Sequence, residues 1–441
     1  MFQFVQKFVR AKGVPATLKK IPNRKAGLRK LRALLKSKKT FSLVKMHLVY
    51  FRDINNYYGH ECGDAVLELV AKKIYALSKR KNFYACRISS TEFNVYYTGG
   101  ILQKGMKEIE YIKDFHKIFF YSDEVDFLVS LAIGIVNCEG DIETVDEIAH
   151  RANIALAAAQ KAGAKECVVF SDSLYTKMIR DKMIVGILQS KNAIDSYKIF
   201  YQPQIDIATE NICGYEALAR IGNLLIGPNE FIPVAELYGF IIDVGRIVTK
   251  SVIMQLAKWK DEGRNLYPVS INYSPGQLRD NGYIVFLLSL LEYYNIDVKF
   301  IKIEITENML LENSEETIQL LHDFVSSGIK LVLDDFGSGY ASLRYLTYMP
   351  VSIVKLDKSL IDTYLHPDKE SFIENIVKLI HSLGMYALAE GVEEPAQYAA
   401  LQKLSCDMVQ GFFVSRPISS DGVHLWEKNY KLNSIANITT D

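Results

Sequence analysis

Five oxygen-bearing side chains in the second half of this 441-residue chain stand at the ends of short apolar or β-branched runs: Glu216, Asn272, Glu304 and the adjacent pair Asp334 and Asp335. Carboxylate and amide oxygens suit hard divalent cations, so the set points to Mg2+ or Mn2+. Successive side chains on a strand face opposite sides. Both aspartates can therefore face one site only where the strand breaks into a loop, and Gly337 and Gly339 are expected to supply that break. One such aspartate can bridge two cations about 3.5–4 Å apart, the spacing of two-metal phosphoester hydrolases. Lys355, at the next strand end, can hold an attacking water or meet phosphoryl charge, and Arg220 can clamp a phosphate oxygen. The chemistry expected is metal-dependent hydrolysis of a phosphate ester.

The elements that must position these residues follow one pattern. Each run is followed by a longer helix-like stretch, and the series continues through Leu388-Ala389-Glu390 and Met408-Val409-Gln410. Strand-then-helix units with polar residues at the strands' C-terminal ends are how a (β/α)8 barrel builds its active-site face. The barrel is expected within residues 196–435. Ahead of it, residues 21–170 alternate helices and strands as a separate α/β domain. The helices are expected at Leu28–Leu35, Asp64–Leu77 and Glu147–Lys161. The strands are expected at Phe41–Phe51, Phe93–Tyr97, Asp126–Val136 (interrupted by Gly134) and Cys167–Phe170. Residues 171–195 read as one continuous linking helix. Residues 1–20 form a basic N-terminal segment whose first fourteen residues carry Phe4, Val5, Phe8 and Val9 on one helical stripe. Docking on its own domain or on a second copy is expected there, with weak membrane-surface contact the alternative.

Composition bounds the rest. Lys and Arg (52) balance Asp and Glu (51), so no nucleic-acid polymer is expected as a partner. The first forty residues nonetheless hold no acidic residue. Six cysteines are scattered singly, which excludes zinc-finger spacing and a disulfide framework and fits reduced thiols in the cytoplasm. No run is long and apolar enough for a transmembrane helix.

The blocks Tyr201-Gln202-Pro203-Gln204, Glu216-Ala217-Leu218-Ala219-Arg220, Asn272-Tyr273-Ser274 and Glu304-Ile305-Thr306-Glu307 resemble those of an EAL domain. So do Asp334-Asp335-Phe336-Gly337, Lys355-Leu356-Asp357, Ala389-Glu390-Gly391-Val392-Glu393 and Gln410-Gly411-Phe412, all in order. The resemblance implies hydrolysis of cyclic di-GMP to linear 5′-pGpG with two Mg2+ or Mn2+ ions, Ca2+ being inhibitory. It implies that Glu216, Asn272, Glu304 and Asp334 hold one cation, and that Asp334 and Asp335 lie around the other. Lys355 is implied to hold the nucleophilic water, Glu390 to serve as second-metal ligand or general base, and Glu393 as a supporting acid. Glu307 is implied to fix the loop after Asp335, which orders the metals and a homodimer interface. Gln202, Leu218, Arg220, Asp357 and Gln410 are implied to line the substrate. Ser338 stands where Thr is usual and Ala341 where Ser is usual, but no ligand is lost. The alternative is a non-catalytic cyclic-di-GMP receptor.

The first domain resembles a GGDEF domain through Ile21-Pro22-Asn23-Arg24, Phe51-Arg52 with Asn55, Tyr58-Gly59-His60 with Gly63-Asp64, and Arg87 ahead of Ser89-Ser90-Thr91-Glu92-Phe93. Ser89, Ser90 and Thr91 replace Gly, Gly and Asp, and His47 replaces a metal-binding Asp. A cyclase turn needs glycines for close approach to GTP phosphates and acids for Mg2+. The resemblance therefore implies a degenerate, cyclase-inactive domain serving regulation or dimerisation. Asn55 and Asp64 match guanine-contacting positions. They leave open GTP binding or a purely structural role, Asn55 in a turn and Asp64 as a helix N-cap.

Overall fold

The computed structural model describes residues 16–438, apart from 123–124, 141–143, 165, 191–192, 308, 310–314, 338–345 and 367–368. The amphipathic segment 1–14 and the expected departures at Ser338 and Ala341 lie outside the described residues. The chain divides into two compact units at Arg180/Asp181.

The first unit is built on a five-stranded sheet. Its strands are β1 (Phe41–Leu48), β2 (Phe83–Arg87), β3 (Glu92–Tyr97), β6 (Leu131–Cys138) and β7 (Cys167–Val169), in the order β2-β3-β1-β6-β7. A separate hairpin joins β4 (Ile118–Tyr121) to β5 (Asp126–Val129). The central strand β1 is covered on both faces, so its side chains divide by the strand's period of two. Val44, Met46 and Leu48 enter one core with Val66, Val70 and Ile74 of the helix Phe51–Ser78. Phe41 and Leu43 enter another, with Leu31 of the helix Arg24–Ser37 and with Ile148 and Ala152 of the helix Val145–Lys161.

Several expectations are corrected. The strand from Phe41 ends at Leu48, because Tyr50 turns left-handed (φ 57°) and the next helix starts at Phe51. The single strand expected over Asp126–Val136 is two strands, divided at Ser130, whose hydroxyl donates to His116 O at 2.6 Å. Gly134 does not interrupt β6. A Cβ there would lie 2.4 Å from Leu156 N, so the glycine lets a helix backbone rest directly on the strand. Asn55 is not in a turn and Asp64 is not an N-cap. Both lie inside the helix Phe51–Ser78, which is kinked at Gly59 (φ 84°, ψ 163°). The linking helix is shorter than expected, Asp172–Leu188. Ile184 and Leu188 anchor its end in the second unit's core, and Ser190 beyond it is a weak helix former.

The second unit is a closed eight-stranded barrel: β8 (Tyr197–Asp206), β9 (Ile212–Ile221), β10 (Val269–Tyr273), β11 (Ile301–Thr306), β12 (Lys330–Phe336), β13 (Val351–Leu356), β14 (Tyr386–Ala389) and β15 (Met408–Val409). β15 pairs back to β8, and a short β16 (Ile418–Ser419) adds beside β8. The strict strand–helix alternation fails once. β8 and β9 form a hairpin, so β8 runs antiparallel to β9, β15 and β16, while every pair in this sheet that does not include β8 is parallel. Outward apolar residues such as Ile303, Ile305, Leu331 and Leu333 pack under the helices. Val332, Ile353, Leu388 and Met408 form a small apolar floor inside one half of the barrel. None of the six cysteines is joined in a disulfide. Among the described residues no helix is long and apolar enough to cross a membrane.

Candidate active site

The parallel ladders carry the expected side chains to one end of the barrel. Glu216 is level with Ser270, Asn272 with Glu304, and Thr306 with Asp334; Asn272, Glu304 and Asp334 lie toward their strands' C-terminal ends, whereas Glu216, expected at a strand end, lies in the middle of β9. At their centre stands Lys355, 1% exposed. Its Nζ lies 2.8 Å from Glu304 Oε2, 2.7 Å from Glu390 Oε1, 2.9 Å from Asp334 Oδ1 and 3.3 Å from Glu216 Oε2. Burial alone would lower the lysine's pKa, but the surrounding carboxylates outweigh it and raise the ammonium's pKa well above its ordinary value.

The carboxylates divide by their own surroundings. Burial works to raise Glu216, yet Lys355 and donors from Gln410 (2.5 Å) and Asn272 (2.9 Å) outweigh it and hold its pKa low. Burial dominates at Glu304 and raises it well above the usual range, with Glu216 and Asp334 adding repulsion. Burial also lifts Glu390 to about 8 and Asp335 to about 6.

Asp334 and Asp335 do reach the same site, by a route different from the one expected. Asp335 itself adopts a left-handed conformation (φ 58°), and the pairing with β13 slips between Leu333 and Phe336. The break therefore begins at the aspartate, and Gly337 (φ 91°) continues it. Oxygens of Asp334, Asp335 and Glu390 lie within 4.8 Å of one another, close enough to share a cation.

The donor set fits divalent cations. Glu304 Oε1 is buried with no hydrogen-bond partner, and Asp334 Oδ1 is near Lys355 but out of line for a hydrogen bond. Once all five carboxylates are ionised, as cation ligation requires, the one ammonium leaves four negative charges, the number that two divalent cations would balance. Asn272 donates through Nδ2 to Glu216, which leaves its Oδ1 available as a ligand.

The implied substrate residues surround this centre unequally. Gln202, Glu216, Leu218, Glu390, Glu393 and Gln410 line one open cleft, which Lys358 and Phe412 also line. Arg220 shares the face of β9 that carries Glu216 and Leu218, and its guanidinium donates to Ala219 O at 2.9 Å. Asp357 caps the following helix by accepting from Ser359 N at 2.9 Å, and its charge also bears on Asp335. Glu393 does not reach Lys355. It pairs at 3.0 Å with Lys358, which sequence reasoning missed although it directly follows Lys355-Leu356-Asp357. Glu307 is buried, and the backbone N–H of Gly337 donates to its carboxylate. Replacing it should loosen the segment after Asp335. Glu307→Ala is expected to lower kcat about tenfold with little change in KM, in steady-state assays at saturating Mg2+.

The EAL domain family matches residues 187–417, more than half of the chain. The chain belongs to the EAL family. Ahead of the EAL barrel, residues 17–166 match the family described as diguanylate cyclase, GGDEF domain, so the two stand in tandem. Signaling protein YkoW of Bacillus subtilis is 31% identical over 91% of this chain and 51% of its own length. Cyclic di-GMP phosphodiesterase PdeR of Escherichia coli is 30% identical over 88% of this chain and 59% of its own. The chain thus spans about half the length of the curated relatives it matches. A solved structure titled PaMucR phosphodiesterase, c-di-GMP complex, is similar to the EAL barrel. It is 28% identical with a TM-score of 0.51, over 55% of this chain and 99% of that chain.

In the GGDEF domain the signature turn closes on itself. Ser89 Oγ accepts from Glu92 N at 3.2 Å, and Arg87 Nε donates to Ser89 O at 2.8 Å. His47 shares a 2.9 Å hydrogen bond with Gln160, and burial lowers its pKa against the pull of Glu92. Asn55 approaches Gly63 so closely that a Cβ there would meet Asn55 Oδ1 at 1.9 Å, a packing role for that asparagine.

Proposed function

We propose that this chain hydrolyses cyclic di-GMP to linear 5′-pGpG. The observation that carries the reading is the convergence of Glu216, Glu304, Asp334 and Glu390 on buried Lys355, with Asp335 and Asn272 beside them. PdeR, as its name states, is a cyclic-di-GMP phosphodiesterase, and the PaMucR structure is a complex with that nucleotide. These support the same substrate here.

Glu216, Asn272, Glu304 and Asp334 would hold one Mg2+ or Mn2+, and Asp334, Asp335 and Glu390 the other. Such ions supply Lewis-acid polarisation of a phosphate oxygen and make water acidic enough to attack at neutral pH. Lys355 orients the attacking water from its fixed place and remains protonated, because every neighbour favours its charge. Glu390, 2.7 Å from Lys355, would either hold that second cation or take the water's proton as general base. The water oxygen bonds to phosphorus, the P–O3′ bond breaks, and the 3′-oxygen leaves to gain a proton. Gln202, Leu218, Arg220 and Gln410 position the nucleotide. Incubation with cyclic di-GMP and Mg2+ should yield pGpG. Nucleotide bound but unchanged would instead favour a receptor. Ca2+ should inhibit, because its longer, looser coordination misplaces the attacking water. Equal turnover in Ca2+ and Mg2+ would count against two-metal chemistry.

The GGDEF domain is proposed to be degenerate, its turn held by Ser89 and its metal position filled by His47, and to act as a regulatory module for a homodimer. No cyclic di-GMP should accumulate from GTP, while GTP should change the rate of hydrolysis. Hydrolysis indifferent to both GTP and protein concentration would leave this domain only a scaffold.

A further inference from the structure

The half of the barrel interior away from the apolar floor is polar and incompletely satisfied. Gln204 is 1% exposed, and its Nε2 donates to Gln410 Oε1 at 2.9 Å. Gln410 Nε2 in turn donates to Glu216 Oε2, and at 3.3 Å to Gln202 Oε1. At the lower end of this chain Gln204 Oε1 has no partner, and neither has Ser270 Oγ, which is fully buried. Lys302 is buried beside them. Its Nζ and Gln204 Oε1 lie 3.3 Å and 3.1 Å from the point that a Cβ on Gly214 would occupy. The two atoms are thus neighbours without being bonded, and the missing side chain of Gly214 makes their room. Ser270 is level with Lys302 on the adjacent strand, so both face the interior.

We propose that Lys302 is a positioning residue that, through one buried water, sets the direction of the amide chain running from Gln204 through Gln410 to Glu216. An ammonium only donates and a carboxylate only accepts, whereas an amide can turn either way. The water accepts from Lys302 and donates to Gln204 Oε1 and Ser270 Oγ, which gives it the two to four polar partners a buried water needs. Gln204 must then turn its NH2 to Gln410, and Gln410 must turn its own NH2 to Glu216. With a cation below and an anion above, only this polarity satisfies every group. Glu216 is thereby held in one orientation for the metal it would bind.

The kinetic arm of the test rests on the hydrolase reading, and the spectroscopic arm does not. In full-length protein carrying 15N-glutamine, the Gln410 amide resonance is assigned by its loss in Gln410→Glu. It should lie downfield in the native protein and move toward a free amide in Lys302→Met, in Gln204→Leu and equally in the double variant. Lys302→Arg, which keeps a donor, should restore it. In turnover, each single variant should lose about tenfold in kcat, with KM within about twofold. The double variant should be no worse than either single one, because both act through Gln410. An unmoved resonance in Lys302→Met, or losses that add in the double variant, overturns the proposal. Should Lys302→Met fail to fold, Lys302→Gln compared with Lys302→Arg gives the same readout. An inactive native protein would refute the hydrolase reading alone, since the amide resonance still decides this one.

Discussion

Lys355→Met is expected to lower turnover at least about a hundredfold and to destabilise the metal-free barrel by roughly 3–5 kcal/mol. Removing the ammonium leaves Glu216, Glu304, Asp334 and Glu390 facing one another with no cation inside a buried site. Glu216→Ala or Asp334→Ala should also abolish hydrolysis, because each removes an anionic ligand. The stability effect should differ, since losing one carboxylate relieves repulsion among the rest. Urea midpoints measured with a chelator, beside turnover at saturating Mg2+, separate the two classes. Near-native turnover in either carboxylate variant contradicts the metal assignment.

Mn2+ should raise the melting temperature more at about pH 8 than at about pH 6. Burial lifts Asp335 to about 6 and Glu390 to about 8 in the metal-free protein. Folding therefore binds protons that the unfolded chain releases in the ordinary carboxylate range. That contribution is present at low pH and is lost as pH rises through about 6 and then about 8. A bound cation replaces those protons, so the stabilisation due to metal grows across the same window. At a hundred times its dissociation constant, an ion that binds only the folded state contributes about 2.7 kcal/mol. Melting curves with Mn2+ and with chelator, taken across that window, check this. A difference independent of pH would contradict it.

The acidic constellation was legible because its chemistry is written in residue types at strand ends. A run such as Ile303-Glu304-Ile305 places a carboxylate among residues that must be buried, and that conflict is visible without coordinates. What the sequence concealed is geometry that one residue type can adopt in several ways. Gly134 read as a strand break and is a close-packing site, because a glycine serves either purpose. The strand break at the aspartate pair was assigned to glycines, yet Asp335 itself turns left-handed. Asp64 read as a helix cap, but the helix continues through it from Phe51. The β8–β9 hairpin was hidden because its strand ends are as polar as those of a strand–helix unit. Lys358 and Gln204 were missed because their partners, Glu393 and Gln410, are distant in sequence and meet only when the barrel closes.

The central claim is that a water oxygen is delivered to the phosphorus of cyclic di-GMP at the Lys355 centre. Hydrolysis in 18O-labelled water, with the product analysed by mass spectrometry, tests it most directly. The account predicts linear pGpG carrying one 18O atom on its terminal 5′-phosphate and none on the freed 3′-oxygen, formed only when Mg2+ or Mn2+ is present. Intact cyclic nucleotide after prolonged incubation, or label on the 3′-oxygen, would contradict it.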